Sequence, residues 1–237
     1  MFNVLLIAVF VKAAMMITLT FGKEFSIVAG YLFSDVVLLV PFVLYFKFAE
    51  NKVCNNADLH IFANPALLAG STYFMSMVLN LLLSYLGIQS GQYDYFSGNS
   101  PQNEIVVVHA VIIAPIIEEF VFRKVIYCAA QPCGRTFAIM FSSLVFALFH
   151  PTAFVHSLLF GLLLAYVAAG GNLLPAIIIH SVVNLVSCIP PFVRVILDKA
   201  LYEVFFSIYN TAVFAFGIVC TAVCTVGFLR FRNEQKS

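Results

Sequence analysis

Charge is scarce in this chain. Only 10% of its 237 residues are Asp, Glu, Lys or Arg, against roughly 25% in soluble domains. With 62% hydrophobic residues and a mean hydropathy of +1.02, an ordinary soluble globule is excluded and the chain reads as a polytopic membrane protein. Runs of Lys or Arg are also missing. With a net charge of +1 there is no basic field to neutralise phosphates, so nucleic acid is excluded as a partner. The six cysteines, Cys54, Cys128, Cys133, Cys188, Cys220 and Cys224, lack the paired spacing of a zinc site or a disulfide framework, and they read as small buried hydrophobes. The first apolar run contains Lys12 and has neither a basic leader nor an Ala-x-Ala site, so it is expected to stay as a first membrane helix. No internal repeat or low-complexity tract breaks up residues 1–237, which read as a single membrane domain.

What is there is a series of apolar runs near the roughly 20 residues a bilayer demands. They cover 2–21, 25–48, 65–86, 105–127, 136–149, 153–169, 173–189 and 201–229. The fold class is therefore all-α, a bundle of about eight transmembrane helices. Pro65 suits a first helical turn, and Pro190-Pro191 is expected to close the seventh span. Lys and Arg accumulate on cytoplasmic loops. Placing both ends inside puts Lys47, Lys52, Lys124, Arg135, Arg230, Arg232 and Lys236 there, against Lys23, Arg194 and Lys199 outside. Glu118 then lies about 9 Å from the cytoplasmic end of its span. His150 fits poorly, because a straight fifth helix would carry it about 22 Å across. Lys12 and Asp35 are expected to pair between the first two helices, and His109 and His156 to serve packing.

The fourth span carries Glu118, Glu119 and Arg123 in the stretch APIIEEFVFRK. Each such charge costs roughly 2.5–3.5 kcal/mol at a membrane helix centre, so it needs a partner. Glu119 and Arg123 stand four apart and share a helix face, while Glu118 is rotated by about 100° and left available for chemistry. Pro115, just upstream, frees a backbone carbonyl and favours a kink where the cluster begins.

Two later pairs belong beside this cluster. Phe146 and His150 stand four apart, as do His180 and Asn184, so each pair shares a helix face. Taken singly, a His or Asn in a bundle reads as helix-packing glue. Taken together, intramembrane polar residues normally face the bundle interior and find one another. Such a set suits amide hydrolysis: Glu118 as general base, imidazoles to hold water, and Asn184 as a donor to the oxyanion. The same inventory is also a credible zinc set, although H-E-x-x-H is absent.

E-E-x-x-x-R at Glu118, Glu119 and Arg123, F-x-x-x-H at Phe146 and His150, and H-x-x-x-N at His180 and Asn184 resemble, in order and spacing, the CAAX protease and bacteriocin-processing (Abi) family of intramembrane endopeptidases. This family includes the Ras-converting CAAX endopeptidase. The stretch from Gly161 to Leu185 is similar to the family around its last motif. The resemblance covers roughly residues 107–186 and makes 105–189 the catalytic core. It implies a catalytic set of Glu118, His150, His180 and Asn184, supported by Glu119, Arg123 and Phe146, with no metal cofactor; zinc on the Glu/His cluster is the alternative. It implies a membrane-associated peptide or protein substrate, cleaved near the cytoplasmic face of the cell membrane by a multi-pass enzyme embedded in the lipid bilayer. Competing readings are a silent scaffold or bacteriocin-immunity protein that binds a peptide, and a proton-coupled transporter.

Overall fold

The computed structural model describes Asp35, residues 64–87 and residues 102–234. Six helices and no strands occur among these residues. They are α1 (Pro65–Tyr85), the composite α2 (102–133), α3 (Arg135–Leu148), α4 (Phe154–Ala168), α5 (Leu174–Ile196) and α6 (Lys199–Glu234). The runs at 2–21 and 25–48 lie outside the described residues, apart from Asp35, as does Lys12. Four helices, α1, α2, α5 and α6, are long and apolar enough to cross a membrane. The chain is thus a helical membrane protein, but the described residues do not carry a count of eight spans.

Each boundary has a local cause. Asn64 Oδ1 accepts from the Ala66 N–H at 2.9 Å ahead of Pro65, Asn172 Oδ1 from Leu174 at 3.0 Å, and Asp198 Oδ1 from Leu201 at 3.0 Å. All three side chains meet N–H groups that a helix start leaves unpaired. Pro190-Pro191 does not close its span: α5 runs through both residues to Ile196. Pro190 removes the N–H that would meet the Val186 carbonyl four residues back, and the Tyr209 hydroxyl of α6 donates to that carbonyl instead.

The same device operates in α2, which contains two π turns, His109–Ile113 and Phe120–Ile126, on either side of the α-helical segment Ala114–Glu119. In the first turn the Ala114 N–H reaches the His109 carbonyl five residues back. In that register the next donor, due at the Ala110 carbonyl, is residue 115, a proline. Asn184 Nδ2 fills the gap, donating to Ala110 O at 2.8 Å. The carbonyl freed by Pro115 therefore becomes a fastener between α2 and α5.

α2 does not stop at residue 127 but continues to Cys133, so Lys124 is an exposed helix residue and not a loop cation. Gly134, at φ +107°, then makes the tight turn into α3, a backbone conformation that suits glycine. Gly134 lies sixteen positions after Glu118 and sixteen before His150. An antiparallel hairpin about it brings the two to similar depth, about 24 Å from the turn at an ideal helical rise. The expected 9 Å depth of Glu118 and the poor fit of His150 both came from ending the helix too early.

α3 and α4 are short, 14 and 15 residues, or about 21–23 Å against a hydrocarbon core of about 30 Å. They pack against α2 and each other. Val121, Phe122, Val125 and Ile126 bury against Val145 and Phe146, while Phe160, Leu163, Leu164 and Val167 bury against Ala69 of α1 and Ala176, Ile179 and Val183 of α5. Lipid tails remove the hydrophobic drive between helices, so close approach of small residues must supply contact. At Gly161 an added Cβ would sit 3.3 Å from Ser143 Cα and 3.2 Å from the Phe146 ring.

Tyr209→Phe should lower stability by about 1 kcal/mol by orphaning the Val186 carbonyl, read as a lower thermal midpoint in detergent. Pro190→Ala returns an N–H to that carbonyl, so the loss should shrink in that background; an equal loss in both backgrounds would contradict the assignment.

Candidate active site

The site forms where α2, α3 and α5 meet. Glu119 is fully buried and Arg123 nearly so. Their ion pair, Arg123 Nε to Glu119 Oε2 at 3.2 Å, forms as the i,i+4 spacing predicts, but without the alignment of a hydrogen bond. The aligned guanidinium bond is made by Nη1, which donates to Ser142 Oγ at 3.0 Å. Ser142 in turn donates to the Phe122 carbonyl at 2.7 Å. The guanidinium also lies 4.8 Å from the Phe146 ring centroid, close enough for cation–π attraction.

The other oxygen of Glu119 holds a histidine. His180 Nδ1 lies 2.9 Å from Glu119 Oε1; facing a carboxylate already paired with Arg123, Nδ1 is the donor. The opposite nitrogen, Nε2, lies 3.7 Å from Glu118 Oε2. His180 therefore stands between both carboxylates, held by Glu119 and facing Glu118. Glu118 Oε2 is sheltered from solvent and has no hydrogen-bond partner among the described residues.

His150 follows the end of α3, and its Nδ1 meets the Phe146 carbonyl at 3.1 Å. A carbonyl only accepts, so Nδ1 carries a proton, and in the neutral tautomer Nε2 is the acceptor. The rings of His150 and His180 both pack on Phe146, with centroids 4.7 and 5.7 Å away. Phe160 closes the other side of His180 at 5.5 Å. Asn184, one turn beyond His180 on α5, is bound to Ala110. One of its two Nδ2 protons is thereby engaged and the other is left over.

The structure thus brings Glu118, Glu119, Arg123, Phe146, His150 and His180 into one cluster, with Asn184 fastening its edge. Three features went unread in the sequence. Ser142 precedes Phe146 by four residues and His150 by eight, a one-face series on α3 that was there to be found. His156 packs as expected, but beside the site: its ring stacks at 5.9 Å on Phe160, which also packs against His180. Asp35 pairs with His109 Nε2 at 2.8 Å, while its expected partner Lys12 lies outside the described residues. Cys128 is disulfide-bonded and Cys133 is exposed, so the cysteines are not uniformly small buried hydrophobes.

Among the described residues no three His, Cys, Asp or Glu groups converge as a metal site requires. Nδ1 of His180 and both oxygens of Glu119 are also committed to each other and to Arg123.

Residues 101–186 match the family model described as Type II CAAX prenyl endopeptidase Rce1-like. No curated protein and no solved structure matches the chain.

Arg123→Ala leaves Glu119 buried beside one imidazole and should destabilise the protein by about 3–5 kcal/mol. The double replacement of Glu119 and Arg123 by Ala should cost less than the sum of the two single changes. Thermal unfolding in detergent checks both, and additive losses would contradict the pairing.

Proposed function

We propose, on the match of residues 101–186 to the Type II CAAX prenyl endopeptidase Rce1-like model, that the chain is a member of that family and an intramembrane endopeptidase with Glu118 as general base. The observation that carries this reading is the 3.7 Å approach of Glu118 to an imidazole whose far nitrogen is held by Glu119. A family match suggests protease chemistry; this contact suggests which carboxylate performs it.

The charge count supports the assignment. Two carboxylates face one guanidinium, which leaves one negative charge over in a site largely shut off from solvent. A proton taken from water moves that charge from the carboxylate to the oxygen that attacks the carbonyl carbon, and such a transfer is what a general base performs. In the proposed cycle Glu118 takes this proton as the water oxygen bonds to the scissile carbonyl carbon. Held on His180 Nε2, the proton turns the ring into a donor toward the oxyanion, with the remaining Nδ2 proton of Asn184 as a second donor. The C–N bond then breaks, and the proton passes to the leaving amine. His150 Nε2, left as an acceptor by the Nδ1 bond to Phe146, orients the water. Arg123 and Phe146 support the geometry, and no step runs through a metal.

The substrate class that fits is a membrane-associated peptide or protein, reached within a cell membrane that the helices span. Glu118→Gln keeps the size of the side chain and removes the base, so cleavage should fall by about 10²–10⁴-fold while thermal stability in detergent stays near that of the parent protein. The measurement is mass spectrometry of membrane peptides that accumulate with the variant, repeated with purified protein before and after chelation. Unchanged processing in Glu118→Gln would remove the general base; a peptide that binds but is never cut would favour the silent scaffold. Loss of activity on chelation, restored by zinc, would return the metal reading.

A further inference from the structure

The three motifs account for Glu118, Glu119, Arg123, Phe146, His150, His180 and Asn184, but not for the group that fixes Arg123. Ser142 is fully buried and sits at the centre of a chain of hydrogen bonds. Arg123 Nη1 donates to its Oγ at 3.0 Å, and its own hydroxyl donates to the Phe122 carbonyl at 2.7 Å. The Phe122 carbonyl already accepts the Tyr127 N–H five residues on, closing the second π turn. Ser142 therefore joins the backbone of the π turn to the guanidinium, and through it Glu119 and the Nδ1 side of His180.

From this chain we propose that Ser142 is a positioning residue for the endopeptidase site. It sets the guanidinium of Arg123, which sets the Glu119 carboxylate, which in turn sets the tautomer and angle of His180 facing Glu118. The proposal rests on the general-base reading above, and it adds a fourth link that touches neither substrate nor reacting atoms. Each link is needed geometrically. Arg123 meets Glu119 without hydrogen-bond alignment, and its Nε and Nη2 have no hydrogen-bond partner among the described residues. Without the hydroxyl, little but the Phe146 ring face would define the plane of the guanidinium, and a ring face allows rotation. A hydroxyl that both accepts and donates can also polarise along the chain, which strengthens each bond in it.

The neighbouring serine supplies a matched control. Ser143 is also fully buried on α3, but its Oγ donates to the Ile139 carbonyl of its own helix at 2.7 Å. Both changes to alanine delete one buried hydroxyl, and only one of them breaks the chain to Arg123.

The test compares Ser142→Ala, Ser142→Thr and Ser143→Ala in the full-length protein in lipid nanodiscs. One readout is the kcat and KM for a membrane peptide cleaved by the parent protein; the other is the ¹⁵N resonances of the His180 ring. Ser142→Ala should lower kcat about tenfold to a hundredfold, the scale of a slight misplacement of a reacting group, with KM within about twofold. It should also move the His180 Nδ1 resonance away from its carboxylate-bonded value. Ser142→Thr, which keeps the hydroxyl, should recover most of both, and Ser143→Ala should change neither. Equal losses of kcat in both alanine variants, or a His180 resonance unmoved in Ser142→Ala, would overturn the proposal. If the parent protein cleaves no peptide, the general-base reading fails, and the resonance shift alone still decides whether Ser142 sets His180.

Discussion

The fold depends on one constraint: the bilayer offers no water to a buried ion, so every charge in the helix interior has to be answered by the protein. Glu119 is where this constraint bears hardest. It is fully buried and, among the described residues, has Arg123 and His180 to meet it. Arg123 lies on the same helix, whereas His180 arrives from α5, sixty-one residues further along the chain. Satisfying one carboxylate therefore draws α5 onto α2. That single contact also delivers the opposite nitrogen of His180 to Glu118, so the arrangement that makes the charge tolerable is the arrangement that assembles the site.

Defects in the helices are used in the same way. Pro115 and Pro190 each strand a backbone carbonyl, and each carbonyl is taken by a side chain from another helix, Asn184 in one case and Tyr209 in the other. An unbroken helix offers no such acceptor, since its carbonyls bond within the helix. The π turns add to this. The first shifts the stranded carbonyl from residue 111, where an α register would leave it, to Ala110, and the second presents the Phe122 carbonyl to Ser142. π turns are rare and occur mostly at functional sites; here they bracket the two glutamates.

The sequence made the charged residues legible and the fastenings illegible. Glu119–Arg123 follows from i,i+4 spacing, and the convergence of Phe146, His150 and His180 on the glutamates follows from the cost of leaving polar groups in lipid. The bond between Asn184 and Ala110 does not follow, because it depends on a π register that leaves no mark in residue spacing. Helix ends were misjudged where proline was taken as a stop. A membrane helix tolerates a proline where another donor meets the orphaned carbonyl, and Tyr209 supplies one to Val186. Ending α2 at residue 127 instead of at Gly134 had a larger consequence, since the depth of Glu118 and the placing of His150 both rest on that turn. The pairing of Asp35 with His109 joins residues seventy-four apart, beyond what local pattern can specify.

The central claim is that Glu119 lies between Arg123 and His180 and thereby aims the imidazole at Glu118. Electron cryo-microscopy of the protein in lipid nanodiscs tests it most directly. The account predicts density joining the Glu119 carboxylate to the guanidinium on one side and to His180 Nδ1 on the other, with the Glu118 carboxylate facing Nε2. A Glu119 side chain turned to lipid, or a His180 ring directed away from both carboxylates, would contradict it.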